Sequence, residues 1–477
     1  MRKTLSRWRS SWDALHDEHT AALEQLPAAW TRAAVVAASA LALYAELVLV
    51  RWHASCFHAF AIFKNVSLLS CFLGLGIGYG LSGRRRSTLA AFLPLLALQT
   101  VLFGLLSLTN LGGHRFNPVA EQLVMGTRSS DWRWLDLVEG NAFLAAVFVL
   151  NALMFIPLGH LAGRLMTRLP KVESYALNLL GSLLGIAAFF ALALLWTPPA
   201  VWMGVAALGV APFLVGHRRT AAVAAASLAV VLVALGLMTR PGEQTYYSPY
   251  QVITLQLPSP QAPAATPTIK VNHTFFQDVV DCSGRAPDPT GDGARTAAYY
   301  NLPYQLRRRP GDVLVVGAGS GNDVAAALRH GAASVTAVEI DPAVLFLGAR
   351  IHPERPYQDP RTRPVLNDAR TYLRHTGDRF DMVVYGLLDS HTNLGAMTNV
   401  RLDSFVYTVE GFRDAVARLK GDGLLVVSYL VLDPRQGDKL FAMLRAAYPE
   451  QTPRVFHGER GVTFVTGPGL ATVPAAV

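Results

Sequence analysis

The chain is short of charge. Only 16% of its 477 residues are Asp, Glu, Lys or Arg, where a soluble protein carries about 25%. The shortage lies almost wholly before residue 240, which argues against one soluble globule and for two kinds of surrounding solvent. Cysteine is scarce as well. Cys56, Cys71 and Cys282 stand far apart without a CxxC pair, which speaks against a disulfide framework and a zinc site; no metal is expected. A basic soluble surface is also missing. Residues 1–238 hold 18 Lys and Arg against 10 Asp and Glu, and residues 239–477 hold 24 against 23. A nucleic-acid-binding protein would put the basic excess on its soluble part, so no nucleic acid is expected as partner. Arg2, Lys3, Arg7, Arg9, Asp13, Asp17 and Glu18 make the N-terminus too polar for a cleaved leader. Residues 1–32 read as a cytoplasmic tail.

What the first half does have is long apolar runs, near 33–50, 60–82, 88–110, 141–163, 174–196, 199–216 and 220–238. A helix crosses a hydrocarbon core with about 18 or more such residues. Residues 33–238 therefore read as a multi-span α-helical membrane domain of about seven helices, with the lipid bilayer as partner. Gly74, Gly76, Gly78 and Gly80 fit close helix packing there. Arg84–Arg86, then Arg164, Arg168 and Lys171, then Arg218 and Arg219 fall in alternate loops, the cytoplasmic ones. Seven spans from a cytoplasmic N-terminus leave the C-terminal domain outside. Polar residues interrupt the runs: Glu46, Arg51, His53, His58, Lys64, Asn65, Asn151, His160 and Asn178. Glu46 is the sharpest, with Arg51 and Lys64 as candidate partners. Such groups are either a structural ion pair joining helices or a substrate or proton site.

After residue 239 the pattern changes. Residues 239–305 read as a small β-region, with alternation over 250–257 and 268–280. Residues 306–477 alternate strand and helix signals, which predicts an α/β Rossmann-like domain. The chemistry-bearing stretch is VLVVGAGSGNDVAAAL. Gly317, Gly319 and Gly321, with Ser320 between them, turn a buried strand into a helix where backbone must approach a ligand. The next strand ends at Glu339 and Ile340, placed to meet ribose hydroxyls. A third ends at Asn367, Asp368 and Ala369, placed to meet an adenine amine. Together they outline a nucleoside pocket. A dinucleotide is the competing ligand, but Asp323 stands at the helix start, where it would repel a pyrophosphate and not a cationic sulfonium.

The segments SPYQVITL, FFQDVV, VLVVGAGSG, VTAVEIDP, DPRTRPVLNDARTYL, RFDMVVYGLLDS and GLLVVS resemble spermidine synthases, whose Rossmann-like domain is of the methyltransferase type. The first half, with ALYAELVLVRW and LSCFLGLGIGYGLSGR, is similar to the membrane part of bacterial membrane-fused spermidine synthase-like proteins. The resemblance implies a multi-pass protein of the bacterial inner membrane. It implies S-adenosylmethionine or decarboxylated S-adenosylmethionine as the bound substrate, and it adds Gln277 to the pocket. Both are cytosolic compounds, which places the soluble domain in the cytoplasm, against the loop charges and span count. Either one apolar segment is re-entrant or split, or the domain works outside the cytoplasm; the first is the expectation.

Two departures stand out. The resembled family has a carboxylate at Ser320 to grip an amine, and a proton-accepting Asp at Gly386; a second Asp is matched by Asp389. In the replacement block, LLDSHTNLGAMTNVRLDSFVYT, Asp389 and His391 are the expected catalytic pair, as general base and orienter. Ser390, Arg401, Asp403 and Tyr407 are expected in the pocket wall. The expected function is a membrane-embedded transferase, moving an aminopropyl or a methyl group, with an altered acceptor site for a small or amphipathic molecule. The alternative is a non-catalytic nucleoside-binding sensor or transporter. Homo-oligomer formation stays open.

Overall fold

A computed structural model describes residues 27–57, 60, 64–83, 88–108, 134–214, 218–239, 243–258, 266–272, 274–284, 292–388, 405–431, 434–458 and 461–474. The chain divides into two compact units that part after Val252.

The first unit is helical: α1 (Ala28–Cys56), α2 (Lys64–Gly80), α3 (Phe92–Leu108), α4 (Trp134–Met166), α5 (Lys171–Leu194), α6 (Pro199–Val210) and α7 (Arg218–Leu237), closed by the strand β1 (Glu243–Tyr247). Among the described residues, five segments are long and apolar enough to cross a membrane: Ala29–Cys56, Leu89–Ser107, Asn141–Met166, Lys171–Leu194 and Arg218–Leu237. Asn65–Gly80 and Pro199–Leu214 are apolar but shorter. Apolar side chains cover the outside as well as the core. Leu179, Leu183, Leu184 and Phe190 of α5 are exposed, a face that suits lipid better than water.

Glycine sets how closely these helices approach. A Cβ on Gly74 would strike Ala152 O, one on Gly78 would strike Ile156 O, and one on Gly159 would strike Leu75 O, so α2 and α4 touch backbone to backbone. Gly181 and Gly185 of α5 sit in the same way on Val36 O and Ala40 O of α1. Gly76 and Gly80 face open space. Only alternate members of the α2 glycine run therefore pack as the sequence suggested.

The second unit opens with a meander of β2 (Val252–Gln256), β3 (Thr268–Val271) and β4 (Thr274–Asp278), the last two pairs antiparallel. After α8 (Asp292–Leu306) comes a doubly wound domain: β5 (Asp312–Val316), α9 (Asn322–Arg329), β6 (Ser334–Glu339), α10 (Pro342–Ile351), β7 (Thr362–Leu366), α11 (Ala369–His375), β8 (Phe380–Tyr385), α12 (Val409–Val416), β9 (Leu419–Tyr429), α13 (Pro434–Ala447), β10 (Arg454–Gly458) and β11 (Gly461–Thr466). The sheet order is β10-β11-β9-β8-β5-β6-β7. β7 through β9 run parallel, and β11 returns antiparallel to β9. The domain is thus Rossmann-like and of the methyltransferase type, and the order reverses between β5 and β8, where ligands of such sheets bind. Every residue of β8 is buried, as a central parallel strand requires.

The amino ends of these strands are tied by charge. Lys420 Nζ lies 2.7 Å from Asp312 and 2.8 Å from Asp381, and Arg307 lies 3.2 Å from Asp381. That end is occupied by structure. The carboxyl end carries the loops.

Candidate adenosyl site and the helical polar chain

β5 ends at Val316, and the chain then uses a backbone that disfavours side chains. Gly317, Gly319 and Gly321 have φ of 66°, 56° and 107°, the left-handed region glycine enters without penalty. Side chains from neighbouring elements hold this loop. Glu339, at the end of β6, accepts from Gly319 N–H at 2.8 Å with Oε2, and from Ile340 and Asp341 N–H at 2.9 Å with Oε1. Burial pushes its carboxyl above the ordinary range, and the three N–H donors pull the other way. Gln277, from β4, accepts from Ser320 N–H at 2.9 Å and Ser320 Oγ at 2.8 Å. Tyr357 donates to Gly319 O at 2.7 Å.

Asn322, first residue of α9, is a junction. Its amide donates to Asp278 O at 2.8 Å and to the Tyr300 hydroxyl at 2.9 Å, and its oxygen lies 3.1 Å from His352 Nε2. Three elements are thereby fixed to the start of one helix. Desolvation lowers His352 to about 4, so it stays neutral at physiological pH. Asp341 and Asp368 serve as N-caps, accepting from Ala343 and Thr371 N–H, the usual work of Asp at a helix start. Asp368 remains half-buried and Ala369 buried beside it.

The expected pocket residues Gln277, Gly317, Gly319, Ser320, Gly321, Asp323, Glu339, Ile340, Asp368 and Ala369 thus lie at or beside the carboxyl ends of β5, β6 and β7. Asp389, His391, Ser390, Arg401 and Asp403 lie outside the described residues. Gly386 follows β8 directly, and Tyr407 donates to Gly386 O at 3.5 Å. Sequence reading overlooked the tyrosines of α8 and the Asn322 junction. The Tyr299-Tyr300 doublet with Tyr304 four residues on was their only trace, because aromatic residues at helical spacing usually signal plain core.

Asp323 itself is 7% exposed. Desolvation raises its carboxyl to about 7, far from an ordinary surface acid. Among the described residues no three His, Cys, Asp or Glu side chains group as a metal site.

Comparison with known proteins bears on this part of the chain. A family model described as the spermine/spermidine synthase domain matches residues 296–429, which run from α8 to the end of β9. Residues 296–429 form a spermidine synthase-like domain. A polyamine aminopropyltransferase of Pyrobaculum islandicum is 28% identical over 156 residues, 31% of this chain and 47% of that protein. One from Korarchaeum cryptofilum is 32% identical over 123 residues, 25% of this chain and 35% of that protein. The chain thus spans less than half the length of these two relatives. Among solved structures, the spermidine synthase from Thermotoga maritima is 15% identical, with a TM-score of 0.38, covering 48% of this chain and 75% of that one.

In the helical unit the structure replaces the expected Glu46–Arg51 pair. Arg51 donates to Pro249 O at 3.0 Å and to Ser248 O, and its guanidinium lies 5.1 Å from the Trp202 ring centroid. Two backbone carbonyls and an aromatic face meet the cation. Glu46 is 2% exposed, and its Oε2 accepts no hydrogen bond among the described residues. The side chain of Lys64 lies outside the described residues.

A different set of polar groups comes together. His53 Nδ1 lies 2.9 Å from Ser67 Oγ and its Nε2 lies 3.1 Å from the Gln99 amide nitrogen. Gln99 also donates to Asn151 Oδ1 at 2.7 Å, and Asn151 donates to Ser70 Oγ at 3.1 Å. All five are fully buried. The directions agree with one tautomer: Gln99 donates to both acceptors, so His53 carries its proton on Nδ1 and donates to Ser67. His53 and Asn151 were flagged by sequence; Gln99, Ser67 and Ser70 were not, since uncharged residues in apolar runs give little signal.

Proposed function

We propose that the chain is a membrane-embedded transferase of the aminopropyltransferase type, binding S-adenosylmethionine or its decarboxylated form at the carboxyl ends of β5, β6 and β7. The observation that carries this reading is the loop itself: three glycines at positive φ, braced from behind by Glu339, inside the stretch that matches the spermine/spermidine synthase domain. The names of the relatives favour the decarboxylated form. Glu339 already accepts three hydrogen bonds, and a carboxylate has about four acceptor positions. One position is left for a ribose hydroxyl.

In the reaction a nucleophile attacks a carbon beside the sulfonium. The carbon–sulfur bond breaks with its electron pair left on sulfur, and the nucleophile's proton passes to a base. The sulfonium supplies the electrophile, and the protein supplies position. With Ser320 and Gly386 where the resembled family has carboxylates, the acceptor side differs from that family. Asp389 and His391 are placed in that wall as lining residues. The acceptor is a small or amphipathic molecule.

We place the helical unit in the cell membrane. Five segments meet the length and hydropathy needed. A sixth crossing by one of the two shorter apolar helices would put the C-terminal unit in the cytoplasm, where the substrate is made. A reporter fused after Val477 tests this, and a reporter active only outside the cell would overturn it.

The central test uses the full chain purified in detergent. Calorimetry with decarboxylated S-adenosylmethionine, S-adenosylmethionine and methylthioadenosine should show binding, and incubation with membrane extract should release methylthioadenosine. Absence of binding to all three would end the transferase reading. Binding with every ligand recovered intact would favour a nucleoside-binding sensor or transporter, for which the buried chain from His53 to Ser70 would be the working part.

A further inference from the structure

Asp323 is the second residue of α9, and its carboxylate forms no ion pair or hydrogen bond with another side chain among the described residues. An acid at a helix start is ordinarily exposed, and a buried one is ordinarily paired. This one is 93% removed from solvent, being 7% exposed, and meets neither condition.

Its position is specific. A Cβ built on Gly386 would lie 2.8 Å from Asp323 Oδ2. The space that a side chain at 386 would enter, directly past β8, is therefore bounded by the carboxylate of Asp323. Aromatic rings complete the surroundings. Tyr304 donates to Asp323 O at 3.4 Å, Tyr299, Tyr300 and Tyr357 are close enough to feel the Asp323 charge, and Tyr407 reaches Gly386 O. A buried carboxylate without a cation, among tyrosine rings, is the complement of an ammonium group.

We propose that Asp323 binds the attacking amine and accepts its proton, so that the negative charge absent at position 386 is supplied from the facing helix. This rests on the transferase reading above and names its acceptor class as a primary amine. The amine nitrogen forms a bond to the carbon beside the sulfonium, the carbon–sulfur bond breaks with its electron pair on sulfur, and the proton lost by the new secondary ammonium goes to Asp323. Gly386 is then required for room: any side chain there would displace the carboxylate.

The test uses the full chain in detergent, with methylthioadenosine as probe of the adenosyl site and putrescine as probe of the amine site. The parent should bind methylthioadenosine and, once loaded, bind putrescine. Asp323→Asn, loaded with saturating methylthioadenosine and melting no lower than the parent, which reports its fold, should lose at least about tenfold in putrescine affinity, equivalent to roughly 1.4 kcal/mol. Release of methylthioadenosine from decarboxylated S-adenosylmethionine with putrescine should fall by about 10²–10⁴-fold. Moving the carboxylate back, in Asp323→Ala with Gly386→Asp, should recover amine binding that Asp323→Ala alone lacks. Equal putrescine affinity in parent and Asp323→Asn, or a loaded parent that binds no putrescine, would overturn the proposal. Failure of the parent to bind methylthioadenosine at all has a different signature and would overturn the transferase reading instead.

Discussion

Glu339 holds Gly319 from the neighbouring strand, its Oε2 accepting the glycine N–H at 2.8 Å. β6 thereby sets the shape of a loop that β5 begins. The carboxylate is a brace for the loop before it is a partner for any ligand.

Glu339→Ala should therefore do two things at once. Adenosyl affinity should fall by roughly 1.5–3 kcal/mol, the scale for hydrogen bonds to a charged acceptor, and the melting temperature should drop because three N–H groups lose their partner. Calorimetry and thermal unfolding on the same sample measure both. Full affinity in a variant that still folds would remove Glu339 from the site.

Asp323 has a cost that pH reveals. Its carboxyl is raised from 3.8 to about 7 by burial, so the folded protein holds this proton up to about pH 7 while the unfolded chain ionises near pH 4. Stability from this group is fully present below about pH 4 and is lost as pH rises through about 7. Asp323→Asn should be more stable than the parent, with the gap widening from pH 5 to pH 8 towards roughly 4 kcal/mol at most. Melting curves at the two pH values should diverge; identical curves would show a carboxyl that is not held neutral. Turnover of the parent should rise with pH to a plateau above about pH 7.

Two glycines of the helical unit should answer differently to alanine. Gly159→Ala drives a methyl into Leu75 O and Cα, whereas Gly76→Ala meets nothing within 4 Å. The first should cost about 1–3 kcal/mol, and the second should leave the melting temperature in detergent unchanged. The opposite ranking would mean that α2 and α4 pack through another face.

The buried chain invites a cut at its centre. Asn151→Leu removes the acceptor of Gln99 and the donor to Ser70. Interhelical bonds of this kind average about 0.6 kcal/mol and reach about 1.7. Stranding a further buried amide should place this variant at the upper end. Adding Gln99→Leu should deepen the loss, because His53 Nε2 then has no donor either, and full recovery would mean that packing dominates.

Apolar runs and strand-ending motifs were legible in the sequence because each repeats one physical demand over many residues. Hydropathy marks a helix at any position, so the segments around α1 to α7 could be seen individually. The glycine loop and Glu339 could be seen because 20 residues separate Gly319 from Glu339, the span of one βα unit. The partner of Arg51 could not be seen, since Ser248 lies 197 residues away and offers only a carbonyl. Nor could the burial of Asp323. In sequence it is one acid in a helix's first turn, and only the approach of Gly386 and α8 shows that solvent is gone. The hairpin of β10 and β11 was also unread, lying beyond the last matching motif.

The same Arg51 has a consequence for how the protein is made. Chains are synthesised at about 5–20 residues per second, so the 197 residues between Arg51 and Ser248 take roughly 10–40 s to appear. Throughout that interval the first helix carries its cation without the carbonyls of Ser248 and Pro249. The last segment of the helical unit to leave the ribosome is what completes the helix Ala28–Cys56.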